Sequence, residues 1–464
     1  MFQYLSEITD VLWGTPLTIL MIGVGLYLSI RTKFFQFTGF RITYRLTVNE
    51  MFGRNKKTDD DHAKRSGTLK PFQALSTVLA GTIGSGNIAG VAAAIAVGGP
   101  GAVFWMWIIA FVGMITKMAE VTLALAFRKK GTGGEFYGGP MHYMRKGLSK
   151  GGKTLAAIYS VALLIYVITD ACFIQVHTLA ETTQRVFRVP LLIAGAATVL
   201  VAIVIVVGGT KRIGEFCGKM VPPMCVLYIV GAIAVIIANA SEISHAFQMI
   251  FKYAFAPTPA VGGFLGATTS LAIGQGAARG IFSNEAGIGT ASTVHATSKT
   301  DHPAHQGMYG ILEVFIDTII VCTLTALAIL TSGVWTGGES GVNLTISAFE
   351  TAWGSQGIIV LGIAIILFTF SSYLGFFVEY RTCIETIFGE KAVKYLQWFF
   401  FVPPMLAVTM QVEEVWTMAD MAIGFIVIPN MIAIVMLSNK FIAYFNEYKQ
   451  ILAGKTVKRM PWGE

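Results

Sequence analysis

The sequence predicts an all-α polytopic membrane protein, two inverted halves of five helices behind one extra N-terminal helix. Three observations carry this. The chain is 54% hydrophobic and only 13% charged, with a mean hydropathy of +0.65. Eleven apolar windows recur along its 464 residues, and Lys and Arg collect in alternate loops between them. A soluble domain carries about 45–50% apolar and about 25% charged residues. Half that charge cannot clothe a globule of this size, which excludes an ordinary soluble enzyme and disfavours disorder, an outer-membrane barrel and a large soluble appendage. A bilayer core of about 30 Å takes roughly 20 helical residues per crossing, so the length holds about a dozen helices.

In order, the windows are 11–30, 72–97, 101–127, 154–176, 190–208, 219–240, 264–290, 309–331, 356–378, 395–412 and 415–437. The first follows Glu7 and Asp10 without a basic residue. A cleavable signal wants a basic start and a small-residue cleavage site, so this helix is expected to stay. Thirty of the 34 Lys and Arg fall on one side; Arg185, Arg188 and Lys252 fall on the other, and Lys117 lies within the third window. Basic residues gather on the cytoplasmic side. The N-terminus is therefore expected outside and the C-terminus in the cytoplasm of a plasma (inner) membrane, and the net charge of +8 reads as an orientation signal rather than a nucleic-acid patch. Cys172, Cys217, Cys225, Cys322 and Cys383 lack metal-ligand spacing and read as small core residues.

Two windows are irregular. The second, ALSTVLAGTIGSGNIAGVAAAIAVGG, holds Gly81, Gly84, Gly86 and Gly90 around Thr82, Ser85 and Asn87. Each glycine costs about 1 kcal/mol relative to alanine inside a helix, so an unwound stretch is favoured over close packing through small residues. The seventh holds Gly274, Gly276, Gly280, Gly287 and Gly289 with Gln275, Arg279, Asn284 and Glu285. A charge at the bilayer centre costs roughly 2.5–3.5 kcal/mol, so Arg279 and Glu285 should face protein or water, as possible partners and as coupling or gating candidates. The irregular windows open two units, 72–240 and 264–437, each with five crossings; 1–71 and 438–464 flank them. An odd count inverts the second unit against the first, the plan of many secondary transporters, with the site between interrupted helices at midplane. Free amides at such breaks attract a carboxylate, and free carbonyls with Thr, Ser and Asn oxygens suit an alkali cation. That chemistry fits an amino acid beside a sodium ion.

The block GGPGAVFWMWIIAFVG (Gly98 to Gly113), with GTIGSGNIAGV, EFYGGPMHYMRKGL at 135–148 and GQGAARGIFSNEAGIGTA, resembles the sodium:alanine symporter family, also called alanine or glycine:cation symporters, over nearly the whole chain. The resemblance implies a leucine-transporter-like fold of five plus five inverted helices with one extra N-terminal helix. It implies that Thr82, Ser85, Gly86 and Asn87 line the substrate and cation sites and that Gln175 holds the substrate carboxylate. Phe282, Ser283 and Asn284 fall in the unwound part of the seventh crossing. Ser371, Ser372 and the Phe368 carbonyl should bind sodium with Asn87, Gly81 and Gly84. Phe376 stands where many members have tryptophan, at the side-chain end of the pocket. Alanine or glycine is the default substrate, with serine or glutamine as larger alternatives.

The resemblance implies no enzyme activity, no ATP and no nucleic acid; the partners are a small amino acid, sodium and membrane lipids, and a monomer is compatible with the sequence. The string GLSKGGKT (Gly147 to Thr154) satisfies a phosphate-loop pattern but lacks the preceding strand that the mechanism needs. Asp170, one to two turns from Gln175, is a candidate proton carrier or a neutral, hydrogen-bonded acid. Lys117 and Glu120 are expected to neutralise each other. Glu313 and Asp317 form an acidic face that gates the inner vestibule or pairs with Arg279. His295, His302 and His305 are expected on a solvated inner loop, and Trp105 and Trp107 as interfacial anchors.

Overall fold

The computed structural model describes Thr9 and residues 12–13, 15–51, 67–131, 134 and 136–463. Glu7, Asp10, Glu135 and the basic stretch 52–66 lie outside the described residues. Helix α1 (Thr15–Arg31) and the amphipathic α2 (Phe40–Met51) precede the first irregular window. That window is two helices, α3 (Pro71–Thr82) and α4 (Gly86–Gly98), bent by 48° at the break. Helix α5 (Gly101–Ala126) is the most enclosed of the long apolar helices. It is followed by a two-stranded hairpin, β1 (Lys129–Lys130) with β2 (Phe136–Tyr137), and by the short α6 (Pro140–Gly147).

Next come α7 (Gly152–Phe187), which passes through a π turn at Ile168–Gln175, α8 (Leu191–Val206), α9 (Gly209–Ala238) and α10 (Ile243–Tyr253). The second irregular window gives α11 (Thr269–Asn284) and α12 (Thr290–His295). Helix α13 (Pro303–Ser332) contains a second π turn at Phe315–Cys322. The chain closes with α14 (Gly341–Trp353), α15 (Ser355–Phe388), α16 (Glu390–Leu396) and α17 (Val412–Leu452).

Among the described residues, six helices (α5, α7, α9, α13, α15 and α17) are long and apolar enough to cross a membrane, and the bent pair α3/α4 makes a seventh. Helices α1 and α8 are shorter, at 17 and 16 residues, or about 25 Å at 1.5 Å per residue. The window at 395–412 is not one helix. Gln397–Phe401 is a 3₁₀ turn and Pro403–Ala407 a single short helix, since Pro403 and Pro404 supply no amide hydrogens to continue the ladder. Leu200 and Val204 of α8 and Ile237 of α9 are more than half exposed, as side chains facing lipid should be. Helices of this length and apolarity are those of a chain that crosses a membrane.

Helix α5 packs on α4, α11 and α13, which brings both irregular segments against one rigid post. The buried charges pair differently from the sequence expectation. Lys117 meets Glu313 at 3.1 Å rather than Glu120, while Glu120 accepts from the Asn430 side chain at 2.6 Å and the Gly287 amide at 3.0 Å. Neighbours on one helix face can each be drawn to closer partners on packed helices. His295 is fully buried against Glu313 at 3.1 Å, and His302 and His305 are buried too. The loop expected in solvent is covered by α17 and by the tail that follows it.

That tail returns to the base of α5: the Gly463 amide donates to the Ala126 carbonyl at 3.2 Å and Tyr444 donates to the Pro461 carbonyl. Arg128 donates to the Ala296 and Ser298 carbonyls, both at 2.9 Å, under the rings of Phe136 and Trp462. Trp105 and Trp107 bond the Ala254 carbonyl and the Thr323 hydroxyl, so their ring nitrogens bind helices to one another. Four of the five cysteines are buried and all are free. Residues Gly147–Thr154 join α6 to α7, and the element that leads directly into them is a helix rather than a strand, which removes the phosphate-loop reading.

Candidate functional site

The first break begins where Ile83 leaves helical geometry at φ −78°, ψ 91° and α3 stops. Its backbone groups find side-chain partners. The Gly84 amide donates to Asn87 Oδ1 at 3.0 Å, and the Ser85 amide donates to Gln175 Oε1 at 3.3 Å. Irregular backbone inside a membrane protein requires such partners or a wet cavity. Ser85 Oγ is buried beside this junction without a hydrogen-bond partner. A Cβ on Gly84 would lie 2.5 Å from Ser372 Oγ and 3.0 Å from Gln175 Oε1, so only glycine lets these elements converge.

The sequence-assigned residues separate into two groups around this break. In the first, Ser372 Oγ donates to the Ala80 carbonyl at 2.7 Å and Ser371 Oγ to the Phe368 carbonyl at 2.8 Å. Gly81 lies under Gly375, whose Cβ would sit 3.2 Å from the Gly81 Cα. Two hydroxyls and two carbonyls thus meet where α3 ends on α15. All four are neutral oxygens, the donor set a weakly held alkali ion accepts.

In the second group, Asn87 Nδ2 donates to Asp317 Oδ1 at 2.7 Å, and Ser283 and Thr318 hydroxyls donate to Asp317 Oδ2 at 2.7 and 2.8 Å. Asn87 is therefore gathered with Asp317 and Ser283, not with Ser371 and Ser372. Asn284 bonds Thr318 and the Ala286 amide, holding the second break. There Glu285 adopts φ +53° and Gly287 and Gly289 adopt φ +97° and +94°. Phe282, Ser283 and Asn284 form the last turn of α11 rather than the unwound part, which begins at Glu285; Gly86 faces Phe282 and Ser283, so the first break abuts the end of that helix. Thr82 bonds the Val78 carbonyl of its own helix.

The π turn of α7 carries Asp170, whose Oδ1 accepts from Gln175 Nε2 at 2.9 Å and whose Oδ2 accepts from Tyr166 at 2.7 Å. Tyr166 also reaches Glu285 Oε1 at 3.2 Å and packs edge-on against Phe376, with ring centroids 5.9 Å apart. Glu285 is thus held by Tyr166 and Thr290 and not by Arg279. Arg279 instead forms a bidentate pair with Asp420, both contacts 2.7 Å, beneath the ring of Trp416. Glu313 and Asp317 do not reach Arg279: one belongs to Lys117 and His295, the other to Asn87.

Trp416 packs on Phe282 at 5.0 Å between centroids. Above them opens a cleft of about 320 Å³ lined by Ala89, Ala93, Ile174, His177, Arg279 and Trp416, among others. Sequence reasoning missed Tyr166, Trp416 and Asp420 as members of this region. Asp420 within an apolar window was the available signal.

A family model described as the sodium:alanine symporter family matches residues 1–460. The chain belongs to the sodium:alanine symporter family. It is 34% identical over 454 residues to the sodium/alanine symporter AgcS of Methanococcus maripaludis, covering 96% of this chain and 97% of that one. It is 36% identical over 453 residues to the probable sodium/glutamine symporter GlnT of Bacillus subtilis, covering 96% and 90%. The solved structure of MhsT in complex with L-phenylalanine aligns with a TM-score of 0.60 at 15% identity, over 82% of this chain and 93% of that one. That likeness establishes a shared fold.

Proposed function

We propose that this chain is a sodium-coupled symporter that imports a small neutral amino acid, alanine or glycine, by alternating access of two inverted five-helix halves. In this reading eleven segments cross the membrane, the tenth of them the interrupted stretch at 395–412, with the N-terminus outside and the basic face cytoplasmic. The carrying observation is the convergence at one helix break of the Ser85 amide with Gln175, and of the Ala80 carbonyl with Ser371 and Ser372. The first pair addresses a carboxylate and the second a cation, so substrate and ion share one element whose movement carries both. Ser85, Gly86, Gln175, Phe282 and Ser283 line the substrate position, with Phe376 at its side-chain end. Family membership and the AgcS name support sodium and alanine.

The energetics suffice. One cation moving down about 100 mV releases about 2.3 kcal/mol and a tenfold gradient adds about 1.4 kcal/mol, together enough for several-hundred-fold accumulation of a neutral substrate. Asp170, buried beside Gln175, favours a second reading in which a proton replaces sodium. Phe376 and the GlnT relative favour a larger side chain such as glutamine. Uptake of labelled alanine into proteoliposomes under an imposed sodium gradient at clamped pH tests the proposal. Accumulation that follows sodium supports it. Accumulation driven only by a pH gradient selects the proton, and flux independent of either gradient rejects symport.

A further inference from the structure

Away from the transport site, two hollows on the basic face share a rim. One, of about 640 Å³, is lined by Lys129, His142, Arg145, Lys146 and Lys153, with Glu385 and Glu390 opposite. The other, of about 300 Å³, runs up α7 past Ala156, Ala157, Ser160 and Val161 to Ile387, and shares Arg145, Lys153 and Thr386 with the first. Lys129 is engaged by Glu385 at 3.3 Å. Arg145 and Lys153 are exposed and have no ion-pair partner among the described residues. His142 is about nine-tenths buried in the wall of the cleft, and its Nδ1 has no hydrogen-bond partner.

We propose that the paired hollows bind one anionic phospholipid, headgroup phosphate on Arg145 and Lys153 and acyl chain along Ala157 and Val161. A cationic cleft that opens into an apolar groove on a lipid-facing helix has the two-part chemistry of that molecule. Basic pockets between membrane helices hold anionic headgroups in this way. Free phosphate satisfies the cleft but leaves the groove uncovered. The bound lipid would touch both α7, which carries Asp170 and Gln175, and the inner end of α15, which carries Ser371 and Ser372.

Native mass spectrometry of the full chain, titrated with phosphatidylglycerol or phosphatidylcholine, tests this. The proposal expects phosphatidylglycerol to be retained over phosphatidylcholine. R145Q/K146Q/K153Q should weaken that retention roughly 100-fold, at about fivefold per charge. K455Q/K458Q/R459Q removes as many charges from the same face and should change it little. A157W blocks the groove without touching charge and should also weaken retention. Equal retention by the first triple variant, equal retention of the zwitterionic lipid, or displacement by excess inorganic phosphate with A157W silent would each overturn the proposal.

Discussion

Asn87 ties the first break to the π turn of α13: its Oδ1 holds the Gly84 amide and its Nδ2 holds Asp317, 230 residues away. Asn87→Ala removes both bonds and leaves a buried carboxylate short of a donor. Hydrogen bonds to charged groups are worth about 1.5–3 kcal/mol, so sodium-dependent uptake should fall about 10- to 100-fold. Undiminished uptake would put the transport site elsewhere. Phe376 packs beside Tyr166, the residue that bridges Asp170 and Glu285. Phe376→Trp adds a ring to that end of the pocket and should weaken competition by serine and glutamine against labelled alanine, leaving glycine competition unchanged. At this scale the glycines were readable from sequence, because each one inside a helix carries a known local cost. The partners of Asp170, Glu285 and Arg279 were not, because they depend on how helices rotate against one another.

Helix contacts explain the same division. Both broken segments were legible as glycine clusters inside apolar windows. The 395–412 window misled because hydropathy ignores the missing amides of Pro403 and Pro404, and the π turns in α7 and α13 left no compositional trace. Gly375 shows why α3 and α15 can meet: its added Cβ would lie 3.2 Å from both the Gly81 nitrogen and Cα, backbone that cannot step aside. Gly375→Ala should lower stability by about 1–3 kcal/mol, read as a drop in detergent-solubilised unfolding temperature. In α6, burial first and then the charges of Lys129, Lys146 and Arg145 push His142 down to about 4. The folded state therefore favours the neutral ring. Its contribution is full above the unfolded value near 6.5 and is lost as pH falls towards about 4. His142→Gln should flatten that part of the stability profile between pH 6.5 and 4; an unchanged profile would assign the acid sensitivity to other groups.

Across the whole molecule, buried ion pairs bind elements far apart in sequence. Arg279 and Asp420 stand 141 positions apart, which is why charge patterning along one helix could not find the pair. Asp420→Asn leaves the guanidinium buried without its counter-charge, and breaking one side of such a pair costs about 3–5 kcal/mol. Unfolding temperature should fall markedly in this variant. Equal stability in Asp420→Asn would mean that water already screens the pair. The helical, many-span character of the chain was legible because lipid imposes one demand on every crossing. The closure of the basic face was not, since it depends on a terminal segment folding back. There a single guanidinium, Arg128, works as a rivet through three sheets of metal: the chain after α12, the hairpin and the tail all end on it. Loosening any one of them slackens the other two, so a nick introduced between Lys455 and Arg459 would be felt at the foot of the second broken helix.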